Sequence, residues 1–421
     1  MMIFLKRLDI ISMDKKLWPV MISVGLWHLG YSLYGPFVSL WILRDLGHPS
    51  FFILAIMISL PGMASVIGIS VLSRLADRRG KLRELLCLTA FAGSFQFLCL
   101  HFFAQSTLSF LIIALPLSMF TLAFYALAIA LATNICDPEK KGQVSSFLLL
   151  FASLGWSIGS FASGRAFRYL GMRTVLLIAA LFLILAGLIS LKSSTKPISV
   201  MILHKFPANP AESSEKFSFG SLLRERQIQM LLLLASLVYF GTGAMFVLST
   251  IYYVEGVGVL EDDFGYANAI ATLIAIPVLL LIGRGMDALG RRVFLRLAVG
   301  IHLSWFVLVS LTQDPLLLLI LWIIPLYAFL SPTLTAMMAD LTELSQRARG
   351  MGLILTTMML MPGLGAILGG LAADKLGTLF VLPLIALVFL PFALFLAFLI
   401  SESQEKLIFH ENPTIAPLSA Q

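Results

Sequence analysis

Residues 73–85 of this chain read SRLADRRGKLREL, and residues 283–292 read GRGMDALGRR. Each stretch is a short basic segment containing glycine, and each separates two long apolar runs. In both stretches an aspartate is followed three positions later by a glycine, and the two copies are 210 residues apart. The matched residues are Asp77 with Asp287 and Gly80 with Gly290. This repetition indicates that the chain consists of two similar halves.

The apolar runs are too long and too numerous for a soluble protein. Hydrophobic residues make up 59% of the 421 positions, charged residues only 12%, and the mean hydropathy is +0.97. A helix needs about 20 apolar residues to cross a bilayer, where only helices or closed barrels satisfy their backbone polar groups. Because the runs are too long for barrel strands, we predict an all-α integral membrane protein with about twelve transmembrane helices. The predicted spans are 18–42, 50–73, 85–105, 107–135, 143–167, 172–191, 228–254, 264–283, 293–312, 315–338, 351–373 and 378–400.

Lysine and arginine are distributed unevenly between the two ends of these spans. With the N-terminus inside, the inside segments hold 24 of the 29 Lys and Arg residues and the outside segments hold five. This bias predicts a multi-pass protein of the cell membrane with cytoplasmic N- and C-termini. Basic loops facing anionic lipid explain the formal net charge of +7, so no nucleic acid partner is expected. The N-terminus lacks the pattern of a cleaved signal peptide, and Met13 is an alternative start to Met1.

The longest polar stretch divides the predicted spans into two sets of six. It contains KSSTKP, PANPAESSEK and RER. We predict an N-terminal six-helix bundle over residues 1–191, a cytoplasmic central loop over 192–227, and a C-terminal six-helix bundle with a short cytoplasmic tail over 228–421. Three glycine pairs, each 206 residues apart, fall in and after the fifth span of each half. They are Gly159 with Gly365, Gly164 with Gly370, and Gly171 with Gly377. Internal repeats around a midplane site are typical of secondary transporters.

Other kinds of site lack the residues that they need. The cysteines Cys87, Cys99 and Cys136 form no CxxC pair, and the sequence has no HExxH or Cys/His cluster, so no metal site or disulfide framework is expected. It has no Walker A loop, so no nucleotide cofactor is expected either. An enzyme embedded in the membrane would need paired carboxylates or clustered histidines at membrane depth. The sequence shows neither, so we do not expect an enzyme.

The two basic segments resemble the signature loop of the major facilitator superfamily, a GxLADRxGRK-like loop between the second and third helices. Ser73 replaces the usual leading glycine in the first copy. The twelve spans, the long central loop and YGPFVSLWILRDLG at the end of the first span extend the resemblance over essentially the whole chain. It implies a small-molecule transporter that works as a monomer by alternating access of two six-helix bundles. The matching residues are Asp77, Arg78, Gly80 and Lys81 in the first copy and Gly283, Asp287, Gly290, Arg291 and Arg292 in the second.

The resemblance implies that these segments form a conformational latch on the cytoplasmic side. Gly80 and Gly290 permit the positive-φ backbone that a tight turn requires. In the family, the aspartate of the first copy docks against the start of the eleventh helix, which lies near Gly350 here. By symmetry, Asp287 would dock near Gly142 at the start of the fifth helix, where the helix dipole favours an anion. The alternative is that both segments are solvated loops that only follow the positive-inside rule.

Small-xxx-small patterns occur in the fifth and eleventh spans. They pair Gly155 with Gly159 and Gly365 with Gly369. Such patterns let helices approach closely, so we predict that these glycines pack against neighbouring helices. The fifth span has no proline among its glycines, so it matches the Gly-Pro-rich motif of some exporters only in part.

Several side chains with polar tips fall in helices that the resemblance places around a substrate cavity. His28 is the most notable titratable group, because imidazole changes charge in the physiological range and no Asp or Glu lies in the middle of a span. The fourth span has no arginine, although proton-coupled relatives often carry one there, so proton coupling stays open. Each candidate is also explained by packing. The predicted cavity residues are His28, Tyr31, Tyr34, Tyr125, Trp156, Tyr239, Asn268 and Tyr327.

An aromatic cavity with few charges favours the export of lipophilic or amphipathic compounds. A permease for a specific nutrient or metabolite is the alternative. A receptor on the same fold that transports nothing is a further possibility, although two intact latch segments argue against it.

If His28 carries a coupling proton, His28→Gln will abolish the pH dependence of transport and leave substrate binding largely intact. Glutamine keeps a polar side chain but does not titrate in the physiological range. Transport rates of the wild-type and variant proteins over a pH series measure this effect. An unchanged pH dependence in the variant would exclude His28 as the proton carrier.

Overall fold

The described part of the chain folds into helices joined by short loops and contains no β-strand. The all-α fold predicted from the sequence is therefore confirmed. Most of the predicted central loop, residues 195–223, lies outside the described residues. The structure, a computed structural model, describes residues 15–47, 49–136, 140–194, 224–342 and 346–400.

The first half begins with a helix that is broken near its middle. A one-turn 3₁₀ segment, Gly35–Phe37, separates α1 from α2 where Pro36 removes a backbone donor. Ser50 caps the next helix, α3, by accepting a hydrogen bond from the backbone nitrogen of Ile53. The helices are α1 Trp18–Tyr34, α2 Val38–Asp45, α3 Phe51–Arg79, α4 Leu82–Phe103, α5 Thr107–Thr121, α6 Phe124–Ile135 and α7 Lys141–Ser190.

The second half has a similar order of elements. Its first long helix, α8, is followed by the short α9 and a π-helical turn, Tyr252–Gly256. The helices are α8 Arg226–Phe246, α9 Ser249–Ile251, α10 Glu261–Leu289, α11 Arg291–Leu311, α12 Pro315–Trp322, α13 Leu326–Leu341, α14 Arg347–Leu376 and α15 Val381–Leu399.

Both predicted turn glycines have a positive φ. Gly80 ends α3 at φ 62°, and Gly290 ends α10 at φ 88°. A side chain at either position would be strained because its Cβ would crowd the backbone. The prediction made for these two glycines is confirmed.

Ten helical stretches in the described residues are long and apolar enough to cross a membrane. This number is two lower than the number of predicted spans, for two reasons. The 50-residue α7 joins two predicted spans across a kink at Gly171, and the break at Gly35–Phe37 leaves α1 only 17 residues long. The helices therefore accommodate the twelve predicted spans, and the chain is a multi-pass membrane protein.

The helices leave an apolar outer surface. Ile67, Phe392 and Phe395 are 58%, 63% and 63% exposed, which suits contact with lipid rather than water. Inside the halves, α7 packs along α1 and α4, and α8 packs along α14 and α15. Between the halves, α7 packs on α10 and α3 packs on α14, so equivalent helix pairs form the interface twice.

Candidate functional site

A cavity of about 840 Å³ lies between the two halves. Its volume falls within the range of roughly 300–1,000 Å³ that is typical of small-molecule sites. None of its described lining residues is Asp, Glu, Lys or Arg. The lining side chains with aromatic rings or polar groups are Trp27, His28, Tyr31, Tyr34, Ser39, Gln96, Phe110, Ser118, Tyr125, Ser153, Trp156, Phe246, Ser249, Thr250, Phe264, Asn268, Thr272, Trp305, Trp322 and Tyr327.

The cavity brings together most of the residues predicted to line it. Of the predicted set, only Tyr239 is not among the described lining residues. It lies seven residues before Phe246 on α8, on the same helix face but about 10 Å further along the axis. Its side chain interacts instead with that of Ser331 on α13. A role in substrate binding stays a prediction for the other seven residues.

The wall of the first half is a cluster of stacked rings. Trp27 stacks on Tyr31 with centroids 4.4 Å apart, and on Phe124 at 5.3 Å. His28 meets Tyr125 edge-on at 5.2 Å, and its Nδ1 lies 2.8 Å from the carbonyl oxygen of Val24. Because a carbonyl only accepts, Nδ1 carries the hydrogen.

The wall of the second half centres on Trp322. Its ring contacts Tyr253 at 5.1 Å and Phe264 at 5.3 Å between centroids. Its Nε1 donates a hydrogen bond of 3.0 Å to Oδ1 of Asn268. An indole nitrogen can only donate, so this bond fixes which end of the Asn268 amide faces the tryptophan.

Sequence reasoning missed Trp27, Phe264 and Trp322. Helical spacing could have identified two of them, because Trp27 lies four residues before the predicted cavity residue Tyr31 and Phe264 lies four residues before the predicted cavity residue Asn268. Residues four apart share a helix face. No such signal pointed to Trp322, whose position depends on how α12 packs against α10.

The two halves are bridged by ion pairs on one side of the membrane. We call it the distal side, since it is opposite the first and last described residues. Arg44 of α2 binds Glu255 and Glu261 of the second half, with nitrogen–oxygen distances of 2.8 Å each. Arg165 of α7 lies 3.7 Å from Asp262. These partly exposed pairs contribute modestly, about 0.2–1 kcal/mol each.

A carboxylate bridges the halves at the equivalent helix pair. The oxygens of Asp374 on α14 accept hydrogen bonds of 2.8 and 2.9 Å from the backbone nitrogens of Phe51 and Phe52. These nitrogens belong to the first turn of α3, where helix N–H groups lack internal partners and the dipole favours an anion. The residue 206 positions before Asp374 is Arg168. The first half thus has a positive charge where the second half has the negative charge of Asp374. A positive charge suits that position, because the facing helix, α10, begins with the acidic residues Glu261–Asp263.

Two matched glycines let the halves touch on the distal side. A Cβ at Gly164 would lie 2.2 Å from the carbonyl oxygen of Glu261, and one at Gly370 would lie 2.3 Å from that of Phe51. Both distances are far below any normal contact. The glycines are 206 residues apart and their partners 210, the same spacings that relate the halves in the sequence. The pseudo-symmetry thus extends to this contact.

The comparison with known families agrees with this architecture. The sequence profile of the Major Facilitator Superfamily matches residues 20–328 and 231–419. The chain belongs to this superfamily. Among curated protein sequences, none matches the chain.

Solved structures of other major facilitator transporters share the fold. A mutant of the nucleoside transporter NupG has a TM-score of 0.72 at 14% identity, covering 92% of this chain and 99% of its own. A bacterial homologue of the human lysosomal transporter Spinster, inward-facing and occupied, has a TM-score of 0.71 at 15% identity, covering 92% and 96%. The human organic anion transporter TETRAN has a TM-score of 0.63 at 14% identity, covering 91% and 100%. The substrates named for these proteins differ, so the shared fold does not identify a substrate.

The superfamily's signature segments are only partly described. Asp77 and Asp287 lie near the ends of α3 and α10, but their side chains are outside the described part, so the predicted docking stays a prediction. Gly283 and the exposed Arg78 and Lys81 belong to the same segments.

The basic residues of the second signature copy contact their own half. Nη1 of Arg291 pairs with Asp340 and donates a hydrogen bond of 2.8 Å to the carbonyl oxygen of Ala336. Nη2 of Arg292 donates one of 3.0 Å to the carbonyl oxygen of Phe398. In this conformation both arginines therefore hold the second bundle together.

Proposed function

We propose that this chain is a secondary transporter that exports uncharged lipophilic or amphipathic small molecules by alternating access. The observation that carries the proposal is the cavity between the halves, whose described lining is aromatic and free of charged side chains. A charged substrate would lose its hydration there without gaining a partner of opposite charge. Family membership and fold support transport itself.

The described conformation corresponds to the inward-facing state of the cycle. With cytoplasmic termini, as the distribution of Lys and Arg predicts, the distal side faces outward in the cell membrane. The distal ion pairs and glycine contacts then close the cavity to the outside. The inward-facing state named for the Spinster homologue, which has the same fold, supports this assignment.

The latch segments act in the opposite step of the proposed cycle. When the distal contacts break and the cytoplasmic side closes, Asp77 docks near the start of α14 and Asp287 near the start of α7. The positive end of each helix dipole attracts the carboxylate there. The transporter needs no second copy of the chain for this cycle, so we propose that it works as a monomer.

A dye-accumulation experiment tests export and the latch together. In an efflux-deficient host, cells that express the protein will accumulate less of a fluorescent lipophilic dye than cells with an empty vector. Asp77→Asn, which keeps the shape of the side chain but removes its charge, will restore most of the accumulation because the outward-facing state loses its latch.

The control variant is Arg79→Gln, which alters a neighbouring charge in the same segment but not the docking carboxylate. It should export like the wild-type protein. Equal dye accumulation in all strains, with normal amounts of protein in the membrane, contradicts lipophilic export and favours the alternative, a permease for a specific nutrient or metabolite. Uptake assays with a metabolite panel then follow.

A further inference from the structure

Asn268 presents a hydrogen-bond donor of fixed orientation to the cavity. Its Oδ1 is occupied by the Nε1–H of Trp322 at 3.0 Å. The ring of Trp322 itself contacts the rings of Tyr253 and Phe264. Because an indole nitrogen can only donate, the amide cannot turn over without losing this bond. In the described residues Nδ2 has no protein partner, and it is left to donate to a ligand.

His28 presents a fixed acceptor from the opposite half. Its Nδ1–H donates to the carbonyl oxygen of Val24 at 2.8 Å. In a neutral imidazole this leaves Nε2 as an acceptor. The rings of Trp27 and Tyr125 contact the imidazole edge-on and limit its rotation. Hydroxyl groups elsewhere in the lining can rotate to donate or accept, so they do not impose a direction.

We infer that the cavity binds an uncharged, ring-bearing molecule that presents a hydrogen-bond acceptor to Asn268 and a donor to His28. This inference rests on the proposed transport function and narrows its substrate class. The aromatic walls provide stacking surfaces for the ring. A lactam, amide or heteroaromatic ring with an N–H beside a carbonyl has the required pair of groups.

The arrangement also links binding to conformation. His28 belongs to the first half and Asn268 to the second, and both line one cavity. A ligand can use both groups only while the two walls are at the correct separation. It therefore binds some states of the cycle more tightly than others, which is the condition for a ligand to shift a conformational equilibrium.

Four bicyclic compounds of similar size test the inference on purified wild-type protein. 2-Quinolone has the donor and the acceptor, and N-methyl-2-quinolone keeps only the acceptor. Quinoline-2-carboxylate is an anion and N-methylquinolinium is a cation. Displacement of tritiated 2-quinolone gives relative affinities. We expect N-methyl-2-quinolone to bind about tenfold more weakly than 2-quinolone, and both ions to bind at least about 100-fold more weakly, since no described lining residue carries a compensating charge.

Two variants assign the contacts. His28→Phe removes the acceptor but keeps a ring, so it will weaken 2-quinolone about tenfold and N-methyl-2-quinolone less than about twofold. Asn268→Leu removes the donor and will weaken both compounds about tenfold. Thr133→Val is the matched control, because Thr133 is not among the described lining residues and its hydroxyl already donates to the backbone oxygen of Ile129 at 2.8 Å. It will leave both affinities unchanged.

Several results would overturn the inference. They are equal weakening of the two lactams by His28→Phe, no effect of Asn268→Leu, an ion that binds as tightly as 2-quinolone, or no binding of 2-quinolone at millimolar concentration. The dye assay separates this failure from that of the proposed function. Dye export that persists while the lactam pattern fails refutes only the substrate class. The lactam pattern without dye export refutes only lipophilic export.

Discussion

Gly164→Ala and Gly370→Ala will each shift the transporter away from the conformation that is closed on the distal side. The added Cβ atoms would lie 2.2 and 2.3 Å from the backbone oxygens of Glu261 and Phe51. Backbone atoms within a helix cannot move aside as the end of a flexible side chain can, so the halves must separate. Where the halves are already apart, alanine is tolerated and favours the helix by about 1 kcal/mol.

The size of the shift follows from the cost of overpacking. An added methyl group in a tight contact costs about 1–3 kcal/mol. Because about 1.4 kcal/mol corresponds to a tenfold change in an equilibrium constant, each variant should change the ratio of the two states by roughly 5- to 150-fold. The two sites lie in equivalent helix pairs, so the double variant should be mostly open on the distal side and transport poorly.

Distances between spin labels on the two halves measure this shift. On the distal side, Tyr169 lies beside the kink of α7 at Gly171 and Leu376 ends α14 in the opposite half. Their side chains are 71% and 65% exposed, so Tyr169→Cys and Leu376→Cys provide the labelling sites. Electron–electron distance measurements on protein without its native cysteines should give longer distances in the glycine variants. Gly300→Ala is the control, since a Cβ there meets no atom within 4 Å. Wild-type distances in folded Gly164→Ala and Gly370→Ala would refute the prediction.

Features that depend on local sequence could be predicted. The positive φ values of Gly80 and Gly290 follow from tight turns after long helices, and the helices follow from apolar runs of membrane length. The repeat spacings seen in the sequence recur in the structure, because the contacts of Gly164 with Glu261 and of Gly370 with Phe51 on the distal side obey them. Each of these features needs only the neighbouring chain or a comparison of the two halves.

Features that depend on how helices pack could not be predicted. Arg44 finds its partners Glu255 and Glu261 more than 200 residues away, and nothing near Arg44 in sequence identifies them. The bond that orients Asn268 comes from Trp322 on a different helix. Tyr239 was placed at the cavity because its helix lines it, but sequence does not show the depth at which the cavity begins.

Gly155→Ala and Gly365→Ala will destabilise the fold without shifting its conformation. The sequence patterns predicted that these glycines pack closely against neighbouring helices, and the structure confirms it. A Cβ at Gly155 would lie 2.1 Å from the backbone oxygen of Gly25 on α1, and one at Gly365 would lie 1.8 Å from that of Phe240 on α8. Each contact lies within one half, so it persists when the halves rock as rigid bodies. Both conformations should therefore lose the same stability.

The expected loss of folding free energy is at the upper end of the overpacking range, about 3 kcal/mol. The added Cβ atoms at Gly155 and Gly365 would lie closer to their neighbours than those at Gly164 and Gly370, and both neighbours are backbone oxygens. For a bundle of this size, that corresponds to a fall in melting temperature of about 6–12 °C. Thermal unfolding of purified protein, followed by the loss of the monodisperse peak, measures it. Gly369→Ala is the matched control on α14, since its nearest atoms are 3.0 Å away, and it should melt closer to the wild-type protein.

The folded fraction of Gly155→Ala and of Gly365→Ala should keep wild-type spin-label distances, because a methyl group inside one half destabilises both conformations equally. A shift in those distances like that of Gly370→Ala would show that the halves deform as they move and do not rock as rigid bundles.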